Sequence, residues 1–198
     1  MTMEEFEIKF LEVNVPELEK KLLSIGAEKV GEYDQHMFLF DYPDFRLDKD
    51  HSWVKLRTNG KETTLSYKQR IGVKSTDGSI PDQGMKEIEV VVDNFEKVYE
   101  IFLAMSFVIK REVRNRRLRY KKESSVFDID FWPEIPPYVE VEADSLENVK
   151  KAARELGFDS DKGLVCSPLQ VYAHYGYDMD QYNSVTLEGG LKKVDFAN

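Results

Sequence analysis

"EEFEIKF", residues 4–10, alternates charged and apolar side chains with a period of two. Read as a β-strand, it sets Glu5, Glu7 and Lys9 on one face and Phe6, Ile8 and Phe10 on the other, because successive side chains of a strand point to opposite sides of the sheet. An ordinary solvated strand has the same pattern. What the charged face means depends on the strands around it.

Those strands repeat the alternation. Lys55 and Arg57 share a face in "WVKLR", as do Ser66, Lys68 and Arg70 in "SYKQR", Glu87 and Glu89 in "KEIEV", Arg117 and Arg119 in "RRLRY", Asp128 and Asp130 in "FDID", and Glu140 and Glu142 in "YVEVE". Between them stand Val54, Leu56, Leu65, Tyr67, Ile88, Val90, Leu118, Tyr120, Val139 and Val141. Acids pair on some strands and bases on others, whereas a merely solvated surface would intersperse the signs along each strand.

Three helices accompany the strands. "NVPELEKKLLSIGA" has Asn14 as N-cap, Pro16 in the first turn and Gly26 at the stop; "NFEKVYEIFLAM" and "SLENVKKAARELGF" carry apolar stripes at helical spacing. "TNGKE" predicts a hairpin turn at Asn59-Gly60, "VRNR" a second turn, "IGVKSTDGSIPDQG" a mobile loop, and "SPLQVYAHYGYDMDQYN" a short helix followed by an irregular tail over 177–198. About eight strands joined by hairpin-length connections indicate an antiparallel α+β fold in a single domain. With the apolar faces under the helices, the charged faces lie together on the far side of the sheet. That side is either an open, solvated surface or, if the sheet closes, the interior of a barrel wide enough for a small ligand.

Composition narrows the chemistry. The 198 residues are enough for a core without staples, and with one cysteine, Cys166, no internal disulfide forms, which fits a reducing compartment. The N-terminus has acids where a secretory signal has bases, and no apolar run reaches bilayer length, so a soluble, cytoplasmic protein that binds no membrane is expected. A net charge of −9 argues against general nucleic-acid binding. The histidines, His36, His51 and His174, are scattered and read as surface or packing residues, Cys166 as inert, and Trp53 and Trp132 as core or rim packing. Clustered carboxylates without His or Cys suit Mg²⁺ or Mn²⁺, and clustered Arg and Lys suit phosphate oxygens. A site with both describes a metal-bound triphosphate.

"EFEIK" resembles the Glu-x-Glu-x-Lys signature of the CYTH superfamily, the triphosphate tunnel metalloenzymes, which includes class IV adenylyl cyclases and thiamine and inorganic triphosphatases. "VKLR", "LSYKQR", "KEIEV", "RLRY" and "DFWPEIPPYVEVE" are similar to that family's further strands in the same order, over about residues 3–176. The resemblance implies an eight-stranded antiparallel β-barrel, the triphosphate tunnel, with flanking helices. It implies that Glu5, Glu7, Asp130, Glu140 and Glu142 sit near one or two divalent cations, Mg²⁺ or Mn²⁺, and that Lys55, Arg57, Lys68, Arg117 and Arg119 hold the triphosphate. Lys9 would position or activate the attacking water, and Glu87 and Glu89 would be secondary acids of the tunnel wall. The expected function is metal-dependent hydrolysis of inorganic triphosphate or a nucleoside triphosphate. Adenylyl cyclisation of ATP to cyclic AMP and pyrophosphate is the alternative on the same scaffold, and a non-catalytic polyphosphate-binding module the alternative of another class. The expected partner is a small-molecule triphosphate, and a homodimer is left open.

Overall fold

A computed structural model describes residues 6–70 and 85–196. The first strand's Glu5 and the loop expected at 71–84 lie outside the described residues. Ten strands and five α-helices are formed: β1 (Phe6–Phe10), α1 (Val15–Ser24), β2 (Glu28–Asp41), α2 (Arg46–Lys49), β3 (Ser52–Thr58), β4 (Thr63–Arg70), β5 (Met85–Val92), α3 (Phe95–Ala104), β6 (Val108–Lys122), β7 (Ser125–Phe131), β8 (Tyr138–Ala143), α4 (Leu146–Glu155), α5 (Pro168–His174), β9 (Ser184–Thr186) and β10 (Gly190–Lys192). The sheet runs in the order β1-β8-β7-β6-β2-β3-β4-β5, with β9 and β10 off this path.

The α+β class and the antiparallel pairing agree with expectation, but the eight-stranded closed barrel does not appear. There are ten strands, and among the described residues no pairing joins the two ends of the order, β1 and β5. β5 was expected to bury Ile88 and Val90 under helices, yet they are 57% and 51% exposed. "VRNR" is no turn, since β6 runs unbroken through it, and the tail is not irregular.

The chain divides into two units. The first comprises residues 1–33 and 116–168. Its core gathers Ile8 and Phe10 of β1, Leu118 and Tyr120 of β6, Phe127 and Ile129 of β7, and Val139 and Val141 of β8 against Leu18 and Leu22 of α1 and Val149, Ala152 and Ala153 of α4. Local chemistry starts both helices: Asn14 Oδ1 accepts from Glu17 N at 3.3 Å and Ser145 Oγ from Asn148 N at 3.2 Å. On this apolar face the Tyr120 hydroxyl donates to Glu19 Oε1 at 2.5 Å, joining β6 to α1. β1 also bonds residue 164 through Lys9 N to Leu164 O, 2.8 Å, and its return, 2.9 Å. The close approach requires Gly163, where a Cβ would lie 2.0 Å from Ile8 Cγ2.

The second unit comprises residues 34–115 and 169–198. Its core is aromatic: Phe38 and Phe40 of β2, Leu56 of β3, Phe95 of α3, and Phe107 and Ile109 leading into β6, with Tyr99, Phe102 and Phe196 packed against them. Asn94 caps α3 by accepting from Lys97 N at 2.8 Å. The β3–β4 hairpin forms where predicted, Asn59 Oδ1 accepting from Lys61 N and Glu62 N at 2.9 Å each, with Gly60 at φ +81°. The tail is ordered because β6 offers it a partner. β9 pairs parallel with residues 112–114, and buried Arg111 donates to Met179 O at 2.7 Å and Tyr182 O at 3.3 Å.

Candidate functional site

In the first unit, strand register assembles the charges. Glu7 stands opposite Glu142 and Lys9 opposite Glu140 across β1 and β8; Asp128 faces Glu140 and Asp130 faces Tyr138 across β7 and β8; Arg117 faces Asp130 and Arg119 faces Asp128 across β6 and β7. Six of the expected residues, Glu7, Lys9, Arg117, Arg119, Asp130 and Glu140, therefore meet in one network. Lys9 Nζ, fully buried, lies 2.5 Å from Glu7 Oε1 and 3.1 Å from Glu140 Oε1. Arg117 grips Asp130 with two bonds, Nε to Oδ1 at 2.6 Å and Nη2 to Oδ2 at 2.5 Å, and also reaches Asp128 at 2.6 Å and Glu140 at 2.8 Å. Arg119 forks onto Asp128 at 2.8 and 2.6 Å. The two arginines expected on phosphate thus have their donors on acids.

Four carboxylates (Glu7, Asp128, Asp130, Glu140) face three bases (Lys9, Arg117, Arg119) in this network. Burial alone would lower Lys9, but Glu140 and Glu7 outweigh it and hold the ammonium well above its ordinary range. Such a lysine is a fixed positive charge and a poor base. Burial would likewise raise Glu140, yet Arg117 and Lys9 keep it below the usual carboxylate value. Asp130 is pushed up by its complete burial, against Arg117, with Glu140 and Asp128 adding to the push. One carboxylate in excess of the bases leaves the cluster receptive to a proton or a cation.

The second unit holds the other charged face. Trp53, Lys68 and Glu87 are in register across β3, β4 and β5, as are Lys55, Ser66 and Glu89, and Arg57, Thr64 and Val91. Lys68 Nζ pairs with Glu87 Oε2 at 2.8 Å, and Arg57 Nη2 stands 4.0 Å from Glu89 Oε2. Among the described residues Lys55 has no carboxylate partner. Burial first, then Lys68 and Arg57, bring its amine down to about 7, with Glu87 and Glu89 opposing. The hydroxyls of Thr64 and Ser66 are also buried and have no hydrogen-bond partner among the described residues.

His36 is a packing residue, its Nε2 2.9 Å from Glu112 Oε1 and its ring 4.7 and 5.0 Å from those of Phe38 and Phe95. Sequence reasoning did not select Asp128, which joins both arginines, or Tyr138, a fully buried tyrosine whose hydroxyl has no partner. Asp128 shares the parity of Asp130, and Tyr138 that of Glu140 and Glu142, so the period-2 signal was sufficient to find both.

The profile of the CYTH domain matches residues 3–165. The chain belongs to the CYTH family. No curated protein matches it. Among solved structures the CYTH chain is similar to the PH1012 protein of Pyrococcus horikoshii OT3, at 19% identity and TM-score 0.66 over 84% of this chain and 98% of that one. It is similar to a protein of Vibrio parahaemolyticus provisionally named an adenylate cyclase, at 12% identity and TM-score 0.70, covering 87% and 99%. A third, from Hippeastrum, is provisionally named an adenylyl cyclase and described with a dominant triphosphatase activity, at 18% identity and TM-score 0.60, covering 86% and 95%. These likenesses support the CYTH fold. Residues 166–198, with α5, β9 and β10, lie beyond the family match. Among the described residues no helix is long and apolar enough to cross a membrane.

Proposed function

We propose that this CYTH protein hydrolyses a triphosphate, inorganic triphosphate or a nucleoside triphosphate, with the help of a divalent cation. The observation that carries the proposal is Lys55: a half-buried amine beside two further bases, without a carboxylate of its own among the described residues, is an arrangement that a polyanion neutralises. Lys55, Arg57 and Lys68 would hold phosphate oxygens, while Glu87 and Glu89 keep the last two bases in place until the anion arrives.

The first unit's acids fit Mg²⁺ or Mn²⁺ in chemistry, being all hard oxygen donors with one carboxylate in excess. They are not arranged as a ready cation cage among the described residues, because Arg117 and Lys9 occupy their oxygens. Glu7, Asp130, Glu140 and Glu142 would hold the ion, with Glu5 added from the family pattern. Bound there, the ion supplies charge neutralisation and polarisation of a phosphoryl oxygen. Were Asp130 and Glu140 to hold the ion, Arg117 would have donors to offer phosphate oxygens, whereas Arg119 would keep Asp128. Lys9, kept as an ammonium, orients the attacking water or a phosphate oxygen electrostatically rather than taking a proton. Water attacks the terminal phosphorus and the bond to the bridging oxygen breaks, releasing phosphate.

The test is product analysis with Mg²⁺ or Mn²⁺, offering inorganic triphosphate and ATP separately beside a Glu7→Gln variant. Phosphate release that the variant loses supports hydrolysis. Cyclic AMP with pyrophosphate moves the activity to a cyclase, and tight binding without turnover to a non-catalytic polyphosphate module.

A further inference from the structure

We infer that the hydroxyls of Thr64 and Ser66 are ligands for the oxygens of a bound polyphosphate, completing the basic face of the second unit. The inference rests on the reading of that face as a polyanion site.

Alternation along β4 puts Thr64, Ser66 and Lys68 on one side, and the register places Ser66 between Lys55 and Glu89, and Thr64 between Arg57 and Val91. Both residues are buried, at 5% and 1% exposure, and neither hydroxyl has a hydrogen-bond partner. A hydroxyl taken out of water without a partner is unfavourable, and valine or alanine would fill the same space without that cost. Two such hydroxyls stand on successive positions of one strand face, Ser66 beside the half-buried Lys55, which has no carboxylate partner among the described residues, and Thr64 beside Arg57, so that donors are grouped there without an acceptor between them. Phosphate oxygens only accept hydrogen bonds, and match that set. No protein carboxylate takes the position: Glu89, in register with Ser66, stands by Arg57 at 4.0 Å. Ser66 and Thr64 touch no reacting atom in this reading and bear on affinity.

The inference makes an unusual pairing of effects. Thr64→Val and Ser66→Ala remove a group that is unsatisfied in the free protein, so the free variants should melt at the wild-type temperature or above it. The same variants should bind inorganic triphosphate, measured calorimetrically in EDTA to prevent turnover, about ten-fold more weakly per hydroxyl. Thr64→Ser, which keeps the hydroxyl, should restore wild-type affinity. A structural role would instead lower the melting temperature of the free variants. If the wild type binds inorganic triphosphate and both variants bind it within two-fold of wild type, or if weaker binding comes only with a lower melting temperature, the hydroxyls are not ligands while the polyanion site stands. If the wild type binds no inorganic triphosphate with or without Mg²⁺, the polyanion reading itself is overturned, and the role of the hydroxyls with it.

Discussion

The two units treat buried charge in opposite ways. In the first, Lys9, Arg117 and Arg119 each have carboxylates at hydrogen-bonding distance; in the second, Lys55 has none among the described residues and two neighbouring hydroxyls are unpaired. Both faces come from the same alternation of charged and apolar residues, so patterning does not explain the contrast. Register does: acids and bases stand on adjacent strands β6, β7, β8 and β1 of the first unit, while in the second Lys55 is flanked by Ser66 and Leu39. In the first unit's network every base has a carboxylate, four carboxylates facing three bases with Glu142 in register beside Glu7. In the second, Lys55 has no such partner among the described residues, and this asymmetry underlies the proposal of an anion there and a cation at the acids.

The largest effect is expected of Arg117→Met, which leaves Asp130 without its base and takes one of two partners from Glu140 and Asp128. It should cost about 3–5 kcal/mol of stability in urea unfolding, the range for breaking a buried ion pair. A loss under 1 kcal/mol would mean that the network is wet and weak.

Lys55→Met should act with the opposite sign. Replacing a half-buried amine that has no carboxylate partner among the described residues by an apolar chain of similar shape should stabilise the free protein by about 1–2 kcal/mol at neutral pH, and weaken inorganic triphosphate binding. Equal destabilisation by the two substitutions would erase the contrast between the units.

The pH dependence sharpens the same point. Because the Lys55 amine falls from 10.5 to about 7 on folding, the unfolded chain holds the extra proton between those values. Stability contributed by this group therefore rises with pH from about 7 to 10.5, and the penalty is fully present below 7. Wild type minus Lys55→Met, compared by urea unfolding at several pH values, should show this slope. Binding of inorganic triphosphate at pH 8 should draw in up to about one proton, detected calorimetrically in buffers of different ionisation enthalpy.

The smallest effect is expected at Tyr138. Tyr138→Phe removes an unpaired buried hydroxyl and should leave the melting temperature of the free protein unchanged or raise it, by at most about 1 kcal/mol of stability. A marked loss would show that the hydroxyl has a partner in solution.

Much of this protein was legible locally. Asn14 and Ser145 marked helix starts because a cap bonds within three residues of itself, and Asn59-Gly60 marked a turn that closes on its own backbone. Period-2 alternation assigned the charged faces, Asp128 beside Asp130 among them. What stayed illegible depended on partners distant in sequence. "VRNR" has turn-prone residues, yet pairing holds it extended within β6; the tail lacks a strong pattern, yet β6 and Arg111 order it. Alternation could not say whether the sheet closes. Arg117 and Lys55 look alike as bases on alternating strands, and only pairing gave one three carboxylates and the other none. A side chain's parity is set by its own strand, whereas its cross-strand neighbour is set by the register between strands, even where the two lie as near in sequence as Arg117 and Asp130 or Lys55 and Ser66. The sequence alone therefore determined which faces are charged, and tertiary pairing decided which charges meet an opposite charge and which do not.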